Sequence, residues 1–589
     1  MKQFQMVYTD ADSFREELLA LRKGLEKNHE SNLLFQVYST ILEEGPINKL
    51  CGILEQVFPD VPYMGCSTSG NIVDCQVSGE MTVVCTVFEE ESTQVKIVQY
   101  DTNSLSTSQI THEIIEEIKG KPWVKAVEIY CTVPEGSTTQ FCDGLRDIRQ
   151  DIQIFGGISC SEDITSSDSV VFSKDGGYAE KSIVVILYGG EQFYVKAVNI
   201  TGWKPLGRKF RVTKSDGSIL QELDGIPAYE IYQKYLKIQN DENFFYHTLE
   251  FPMFYEHNGT TILRVPVASN PDNSITMSSD MEVDSIVRIS YGDPATIVES
   301  IRATGVEIQD FQPDLLHIFS CAARRTFWTS EEPTYEIYPL KDIAPSSGFF
   351  SHGEFLRTNE NLNQHNVTLV IAAMREGNKE AGYKKNTVQT KSLTKIPLVS
   401  RLANFISATS LELEETNRQL ADTNKKLKKT SITDGLTGLY NRKEIQSRIG
   451  DGLNYMREGV FSVIMLDIDN FKRVNDTYGH QEGDNVIIGL ASILQDDDVM
   501  DGQTFSSGRW GGEEFMLLLP DCDVNRAHAI AERIRVRFAE MEFEQAKSLT
   551  VSIGVSQAKE KDTLDKLCVR VDEALYEAKQ TGKNKVVVY

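Results

Sequence analysis

The arrangement of apolar and polar positions divides the chain into regions that predict different structures. From residue 1 to about 200, short apolar runs that predict strands, such as Met81 to Phe88 and Ala126 to Val133, alternate with helical patterns. In the stretch Gln109 to Ile118, isoleucines recur on one helix face. We predict a mixed α/β region here, and a similar pattern continues to a strand at Thr368 to Met374.

A seven-residue repeat marks the segment after a polar stretch at 376–397, which we expect to be solvated. One heptad position holds Ile406, Leu413, Leu420 and Leu427, and the other core position holds Ser410, Asn417 and Asn424. Leucine at d with asparagine at a weakens a coiled coil but fixes a parallel two-stranded register. We therefore predict a dimeric signalling helix over residues 400–430, with a single amphipathic linker helix as the alternative.

The region after this helix combines buried strands with acidic turns. The apolar run Phe461 to Leu466 predicts a buried strand that ends in Asp467 and Asp469. Two carboxylates at positions i and i+2, with the Ile468 carbonyl between them, predict a divalent-cation site.

Residues 509–515, Arg-Trp-Gly-Gly-Glu-Glu-Phe, run directly into another apolar strand. The preceding segment can pair back against that strand, so Gly511 and Gly512 are predicted at a hairpin tip. Residues without Cβ let a backbone approach a bulky ligand, and the carboxylates that follow can hold a hard cation near phosphate oxygens. For this heptapeptide alone, an ordinary charged hairpin is the alternative.

Composition narrows the class of protein. A chain of 589 residues is too long for one core and predicts several domains, while 40% hydrophobic and 25% charged residues are typical of a soluble globular protein. The net charge of −26 argues against a nucleic-acid binder, because such proteins need excess Lys and Arg. No apolar run approaches the roughly 20 residues that span a bilayer, and the N-terminus lacks a signal-peptide core, so we expect a cytoplasmic protein.

The ten cysteines show no close metal-type pairs. In a reducing compartment, buried free thiols are the expectation.

Two glycine-bearing turns at 64–70 and 155–161 offer hydroxyls and backbone N–H groups that suit a small polar ligand. Plain strand-end turns packed with small residues are the alternative.

Four short motifs resemble the paired N- and C-terminal halves of FIST sensor domains: Gly-Cys-Ser-Thr-Ser-Gly at 65–70, Gly-Trp-Lys-Pro-Leu-Gly at 202–207, Leu-Asp-Gly-Ile-Pro-Ala at 223–228 and Ser-His-Gly-Glu at 351–354. The resemblance covers roughly residues 25–375, and we assign the halves to 1–200 and 201–395. It implies a sensory input for a small ligand such as an amino acid, and some relatives are linked to haem and nitric oxide.

Haem would require an axial ligand, and the candidates are His29, His112, His247, His257, His317, His352 and His365. None lies in a Cys-x-x-Cys-His context, and a lone histidine is more often a surface or core residue. Haem in the sensor is therefore the less favoured alternative.

Five motifs follow in order at 433–442, 467–476, 478–484, 511–515 and 582–584. With them, residues 433–589 resemble the GGDEF family of diguanylate cyclases in its Glu variant. The resemblance implies an α+β nucleotide-cyclase-like, ferredoxin-like fold with a central antiparallel sheet. It also implies condensation of two GTP molecules into cyclic di-GMP and pyrophosphate.

The resemblance assigns roles to matching positions. The implied metal ligands, for Mg²⁺ or Mn²⁺, are Asp467, the Ile468 carbonyl and Glu513, and Glu513 is also the implied general base. The implied substrate-binding residues are the guanine-reading pair Asn475 and Asp484, the phosphate contacts Lys472, Lys579 and Lys583, the backbone at Gly511 and Gly512, and Phe471 and His480.

Two departures from the family pattern change the expectations. The family commonly has arginine at Lys583, and lysine lacks the bidentate fork. The family's product-inhibition motif is an Arg-x-x-Asp that ends six residues before the first glycine, where this chain has Gly502 and Phe505. We therefore expect no feedback inhibition of that type.

The resulting interpretation is a ligand-regulated diguanylate cyclase: a mixed α/β FIST sensor, a coiled-coil helix at 396–432 and a GGDEF output domain at 433–589, with no phosphodiesterase domain after it. It predicts GTP as substrate, a small-molecule sensor ligand, a homodimer through the 400–430 helix, and no nucleic acid or membrane span. The alternatives are a non-catalytic module that binds GTP or cyclic di-GMP, and a haem or nitric-oxide sensor that acts on a partner kinase.

Overall fold

The computed structural model of the chain describes residues 1–25, 32–134, 137–257, 259–328, 334–358, 360–379, 383, 388, 398–455 and 460–589. The haem candidate His29 and most of the polar segment 376–397 lie outside these residues. The chain divides into two compact units, Met1–Leu411 and Glu412–Tyr589.

The first unit is a mixed α/β structure, as the sequence pattern predicts. Its strands are β1 Lys2–Val7, β2 Leu33–Ser39, β3 Tyr63–Ser67, β4 Asn71–Val73, β5 Gln76–Val77, β6 Met81–Val87, β7 Gln94–Asp101, β8 Val124–Cys131, β9 Gln153–Ile158, β10 Val171–Ser173, β11 Gly177–Ala179, β12 Ser182–Gly189, β13 Phe193–Ile200, β14 Trp203–Asp216, β15 Ile219–Leu223, β16 Ile226–Pro227, β17 Met253–His257, β18 Thr260–Arg264, β19 Pro266–Ser269, β20 Ile275–Met277, β21 Ile286–Gly292, β22 Leu315–Cys321, β23 Ser346–Ser351, β24 Glu354–Thr358, β25 Asn361–His365 and β26 Leu369–Glu376. Its helices are α1 Ala11–Leu25, α2 Glu44–Val57, α3 Thr107–Ile118, α4 Thr138–Gly144, α5 Ala228–Leu236, α6 Phe244–Leu249, α7 Pro294–Phe311 and α8 Ala322–Phe327, with a 3₁₀ turn at Tyr338–Leu340.

The two predicted sensor halves share sheets. The strand orders are β1-β6-β2-β3-β10-β11, β25-β24-β9-β8-β12-β7, β13-β26-β22-β23-β4-β5 and β18-β17-β21-β14-β15-β20-β19, with β16 paired to β15. Strand β24 of the C-terminal half pairs with β9 of the N-terminal half, and β23 pairs with β4. The halves therefore interlock through backbone hydrogen bonds within one compact unit.

The two glycine-bearing turns pack against other backbone and against aromatic rings. The Cys160 N–H donates to the Ser67 carbonyl at 3.1 Å, and the Ser69 N–H donates to the Phe350 carbonyl at 3.1 Å. A Cβ on Gly65 would lie 2.2 Å from the Phe172 ring. The turns are thus strand-end turns filled with small residues, as the alternative describes, and ligand binding at them stays a prediction.

Helix α9, Leu398–Ile432, covers the heptad segment and confirms that it is helical. The leucines of the repeat are exposed to solvent: the exposed fractions of Leu413, Leu420 and Leu427 are 61, 56 and 61%. Exposed leucines at every seventh position are typical of a helix that pairs with another helix.

The second unit is an α+β domain, which confirms the predicted fold class. Its helices are α10 Arg442–Tyr455, α11 Phe471–Tyr478, α12 His480–Ile493, α13 Asp497–Met500, α14 Val524–Ala539 and α15 Leu564–Gln580, and its strands are β27 Phe461–Ile468, β28 Ser506–Gly511, β29 Glu514–Pro520, β30 Val551–Gln557 and β31 Val586–Val588. The sheet order is β28-β29-β27-β30-β31, antiparallel except for the last pair.

The central strand β27 is buried along its whole length because helices cover both faces of the sheet. Ile464 and Leu466 face a core that includes α12 and α14, whereas Val463 and Met465 face α10 and α15. Since side chains alternate across a strand, a continuous apolar run is expected for a strand covered on both sides. Its carboxyl end, at Asp467, is the place where this apolar run gives way to polar residues.

All ten cysteines lie in described parts of the chain and are free, and nine of them are buried, as expected. Among the described helices, none has the length and apolar character needed to cross a bilayer.

Candidate active site

Asp467 and Lys579 form an ion pair at the carboxyl end of β27. Asp467 Oδ2 lies 2.7 Å from Lys579 Nζ, which projects from the last turn of α15. Across the sheet, Asp467 is paired with Glu514, the first residue of β29. The Asp467 carboxylate, the Lys579 ammonium group and the acidic hairpin thus meet at the carboxyl end of the central strand.

Burial and neighbouring acids shift the acidity of Asp467. Burial raises its pKa from 3.8 to about 6; Lys579 lowers it, while Glu513 and Glu514 raise it further. One cation therefore does not fully compensate this group of carboxylates. Raised carboxyl pKa values in a cleft are a frequent property of functional sites.

Asp469, the second acid of the Asp-x-Asp pair, has a different set of partners. It accepts hydrogen bonds from Thr550 Oγ1 at 2.7 Å, from Ser552 Oγ at 2.6 Å and from the Asn584 backbone N–H at 3.0 Å. It is only 3% exposed. Asp469 therefore ties the 582–584 turn to the sheet, a role that the i, i+2 pattern alone did not indicate.

The acidic hairpin has the predicted position. Strands β28 and β29 pair antiparallel, with Gly511 opposite Glu514, so the tip is formed by Gly512 and Glu513, one residue beyond the predicted pair Gly511 and Gly512. A Cβ on Gly512 would meet no atom within 4 Å, and one on Gly511 would meet only the Glu514 carboxylate at 3.1 Å. The open space beside Gly512 is consistent with the prediction that a ligand approaches the backbone there.

Asn475 and Asp484 lie on consecutive helices, α11 and α12, which join at Gly479 with φ 84°. Both side chains are partly exposed. A Cβ on Gly483, one residue before Asp484, would lie 2.0 Å from Asn475 Oδ1. Glycine at 483 is therefore what lets the Asn475 amide lie against the start of α12.

The other predicted substrate contacts fall into three kinds. Lys583 has φ 61° and donates from Nζ to Asn470 Oδ1 at 2.7 Å, in the turn after β27. Lys472 and His480 are exposed. Phe471 is only 7% exposed and belongs to the core, so its side chain supports α11.

Sequence reasoning did not assign roles to Arg509 and Asp434. The Arg509 guanidinium donates to the Gly512 carbonyl from Nε at 3.0 Å and Nη2 at 2.8 Å, and it pairs with Asp434 through Nη1 at 3.2 Å. It therefore holds the hairpin tip against the turn that follows α9. The only available signal was the position of Arg509, two residues before the glycines.

The described oxygen donors suit a hard divalent cation. Asp467 and Glu513 supply carboxylates and Ile468 supplies a carbonyl, the ligand types that Mg²⁺ and Mn²⁺ prefer. Burial, with a smaller contribution from Glu513 and Glu514, raises the pKa of Asp467, so a bound cation would compensate a carboxylate that is partly removed from water. Within the described parts of the chain, no cluster of three or more His, Cys, Asp or Glu side chains is spaced to hold a metal by itself. A cation would thus need substrate or solvent oxygens as further ligands.

The described haem candidates differ in burial and in their partners. Burial lowers the pKa of His352, and burial, with Arg264 nearby, lowers that of His365 to about 3. His317 contacts Glu128 through Nδ1 at 3.2 Å, and His257 contacts Glu282 at 3.1 Å. His112 and His247 are exposed. Haem binding stays an untested alternative.

Comparison with known proteins places this site in a family. Residues 431–585 match the family model described as "Diguanylate cyclase, GGDEF domain". Residues 34–226 match the FIST N domain, and residues 228–357 match the FIST C domain. The chain therefore carries a catalytic-family domain at its C-terminal end, after two other family domains. Specifically, it carries a GGDEF domain preceded by a FIST N and FIST C pair, and the predicted resemblance is confirmed.

Two curated relatives match about a quarter to a third of this chain. The chain is 39% identical over 156 residues to diguanylate cyclase DgcM of Escherichia coli K12, which is 26% of this chain and 37% of that protein. It is 38% identical over 193 residues to diguanylate cyclase VdcA of Vibrio cholerae, which is 32% of this chain and 54% of that protein. The chain thus spans between about a third and a half of the length of these relatives.

Among solved structures, the active GGEEF domain of a diguanylate cyclase from Vibrio cholerae is 37% identical, with a TM-score of 0.24. The match covers 25% of this chain and 96% of that structure.

Proposed function

We propose that the protein is a diguanylate cyclase that condenses two GTP molecules into cyclic di-GMP and pyrophosphate. The observation that supports this most directly is the meeting of Asp467, Lys579 and the Gly-Gly-Glu-Glu hairpin at one edge of the sheet, in a segment that matches the GGDEF family. Relatives that match part of this chain include the diguanylate cyclases DgcM and VdcA.

The chemistry requires a 3′-hydroxyl to lose a proton and attack an α-phosphorus while pyrophosphate leaves. Glu513, at the hairpin tip, is the proposed acceptor of that proton. Lys579 and Lys583 are proposed to hold phosphate oxygens, since both ammonium groups lie beside the carboxyl end of β27. A divalent cation, which we propose to be Mg²⁺ or Mn²⁺, would be held by Asp467, Glu513 and the Ile468 carbonyl and would stabilise charge on the phosphates.

Guanine recognition is assigned to Asn475 and Asp484. A carboxylate accepts hydrogen bonds and an amide both donates and accepts, so the pair can meet the N–H groups and the acceptors of a guanine edge. Because Asn475 lies against the start of α12, its amide and the Asp484 carboxylate both lie near the junction of α11 and α12. Because GTP is a cytoplasmic nucleotide, we propose that the enzyme acts in the cytoplasm.

Two active sites must face each other, because one domain holds one GTP and the product joins two. The exposed leucines of α9 supply a surface for that pairing. We therefore propose a homodimer through residues 400–430.

Replacing Leu413 and Leu420 by Ser is expected to give monomers in sedimentation experiments and to lower the activity in proportion to the fraction of dimer that is lost. Arg418→Ala, on the same helix and 73% exposed, is the matched control.

The sensor region is proposed to respond to a small molecule and to change how the two catalytic domains meet. The order of the domains, with FIST N and FIST C before GGDEF, supports this proposal.

The primary test is incubation of the full-length protein with GTP and Mg²⁺ or Mn²⁺, with products identified by mass. Cyclic di-GMP is expected from the wild type and not from Glu513→Gln, which keeps the size of the side chain. GTP binding without product in either metal would instead favour the non-catalytic alternative.

A further inference from the structure

Glu482 is a buried carboxylate beside the guanine-reading pair, and it takes no part in the contacts proposed for GTP. It lies in the first turn of α12, two residues before Asp484, and is only 2% exposed. Burying a carboxylate costs free energy unless hydrogen-bond donors compensate it, so the partners of Glu482 indicate what it holds.

The main partners of Glu482 come from the segment between α14 and β30. Glu482 Oε1 accepts from the Gln545 backbone N–H at 2.8 Å and from the Ala546 backbone N–H at 3.0 Å. Its other oxygen, Oε2, accepts from Asn485 Nδ2 at 3.2 Å. Hydrogen bonds from the Ala546 and Gln545 N–H groups hold the pKa of Glu482 below its ordinary value, so the carboxylate is ionised at neutral pH and these bonds are charge-assisted.

The turn that offers these two N–H groups, residues 543–547, is anchored in the domain. The Phe543 N–H donates to the Lys547 carbonyl at 2.7 Å, which closes the turn. Phe543 is 9% exposed, belongs to the hydrophobic core and has its ring centre 5.9 Å from that of Phe538. Glu482 therefore connects the start of α12 to a turn that the core holds in place.

Within the described part of the chain, no side chain caps the start of α12. Its N-cap residue is Gly479, with φ 84°, and the Gly483 N–H reaches the Gly479 carbonyl at 3.3 Å. The backbone N–H groups of a first turn lack partners within the helix, so an uncapped start is weakly held by the helix itself. The contact of Glu482 with the 543–547 turn supplies the missing anchor.

We propose that Glu482 is a positioning residue for guanine recognition. By fixing the first turn of α12 on the 543–547 turn, it sets where Asp484 lies and where Asn475, which lies against Gly483, can lie. This inference deepens the proposed function, because it rests on the assignment of Asn475 and Asp484 as the residues that read guanine.

The test is calorimetric titration of the full-length protein with 3′-deoxy-GTP and 3′-deoxy-ITP in the presence of Mg²⁺. Neither nucleotide has the 3′-hydroxyl that attacks phosphorus, so binding is measured without turnover. The base of ITP lacks the exocyclic amine of guanine and offers a carboxylate one donor group fewer. We expect the wild type to bind the guanine nucleotide about tenfold more tightly, and Glu482→Ala to reduce this preference to about threefold or less.

Two conservative variants separate the reach of the side chain from its charge. Glu482→Gln keeps the length and one acceptor oxygen, so it is expected to retain most of the preference for guanine. Glu482→Asp keeps the charge but is shorter by one methylene group, so it is expected to behave like Glu482→Ala. If Glu482→Ala does not fold by circular dichroism, the comparison of the Gln and Asp variants replaces it.

Ile493→Ala is the matched control for a general loss of stability. Ile493 is the last residue of α12, is 3% exposed and belongs to the same core, so its truncation leaves a cavity at the far end of the helix. It is expected to lower the melting temperature and to leave the preference for guanine unchanged.

The proposal is overturned if Glu482→Ala keeps the preference of the wild type, or if Glu482→Ala and Ile493→Ala lose it equally. Equal binding of the two nucleotides by the wild type, or no binding of either, also overturns it. Cyclase activity is measured separately. A wild type that forms no cyclic di-GMP but shows a guanine preference that depends on Glu482 would refute the proposed catalysis and support the positioning role.

Discussion

Arg509 and Asp434 connect the catalytic hairpin to the end of the long helix. Arg509 Nη1 lies 3.2 Å from Asp434 Oδ1, and Asp434 lies two residues after the last residue of α9. The same guanidinium holds the Gly512 carbonyl, and Asp434 Oδ1 accepts from the Thr437 N–H at 3.0 Å. The position of the helix end is therefore linked to the hairpin tip through one side chain.

We expect Arg509→Lys to lower turnover with little loss of stability. Lysine keeps the charge but cannot hold both the carboxylate and the carbonyl in one plane. Displacement of a catalytic group by about 1 Å can cost about 100-fold in rate, so a decrease of about 10- to 100-fold in kcat is expected. Initial rates of cyclic di-GMP formation and the melting temperature are the measurements.

Arg570→Lys is the matched control, because Arg570 also makes a forked pair in this unit, with Asp562, away from the hairpin. It is expected to lower the melting temperature and leave kcat nearly unchanged. Equal kcat losses in the two variants would contradict a specific role for Arg509. Asp434→Asn should resemble Arg509→Lys, and combining the two should add little further loss, since they remove the same contact.

Gly483→Ala is expected to weaken GTP binding. The new methyl group would lie 2.0 Å from Asn475 Oδ1, so the amide proposed to read guanine must move. We expect KM for GTP to rise about 10-fold or more and the preference for GTP over ATP to fall, measured by competition. Gly450→Ala in α10 is the control: its Cβ would meet nothing within 4 Å, so it should leave KM unchanged. An unchanged KM in Gly483→Ala would refute the assignment of Asn475.

The raised pKa of Asp467 predicts a pH dependence. Its folded pKa of about 6 exceeds its ordinary value of 3.8, so the folded metal-free protein holds this proton more tightly than the unfolded chain. This contribution to the free energy of unfolding is greatest at low pH and is lost as pH rises from about 3.8 to about 6. Because a cation must displace the proton, Mg²⁺ should raise the melting temperature at pH 7.5 and progressively less below pH 6.

Asp467→Asn should remove the Mg²⁺ response and raise the metal-free melting temperature at pH 7.5. An increase of about 2–4 °C would correspond to about 1 kcal/mol. Asp469→Asn is the control: it disrupts hydrogen bonds from Thr550, Ser552 and Asn584, so it should destabilise the protein with or without Mg²⁺. A full Mg²⁺ response in Asp467→Asn would exclude Asp467 as a ligand.

The enzyme is expected to lack product inhibition of the Arg-x-x-Asp type. Gly502 takes φ 66°, and Phe505 packs partly buried against the core, so neither position presents a charged group for a nucleotide. Initial rates with added cyclic di-GMP should stay nearly constant at micromolar product. A strong decrease at low product concentration would refute this prediction.

Much of the second unit was predictable because its signals are local. A buried strand that ends in Asp467, a helix start at His480 and a glycine hairpin are each encoded within about ten consecutive residues. The role of Asp469 was not predictable, because its partners Thr550, Ser552 and Asn584 are about 80 to 115 positions away. Local spacing could not distinguish a carboxylate that binds a cation from one that ties a turn to the sheet.

In the first unit, local patterns identified α3 but could not show what the glycine-bearing turns pack against. Position 65 requires glycine because the ring of Phe172, more than a hundred positions later in the chain, occupies the space that a Cβ would need. A cavity in the first unit is lined in part by Ile110, Phe141 and Phe355, which come from both halves. Local patterns could not predict it for this reason.

The sequence by itself determined the order of the parts, the helical heptad and the acidic motifs, because each depends on neighbouring residues and on periodicity. Tertiary structure alone decided which polar groups meet: Asp467 with Lys579, and Arg509 with Asp434. The physical reason is that strand pairing and helix packing bring together residues far apart in the chain, and their mutual burial sets the charges and spaces on which function depends.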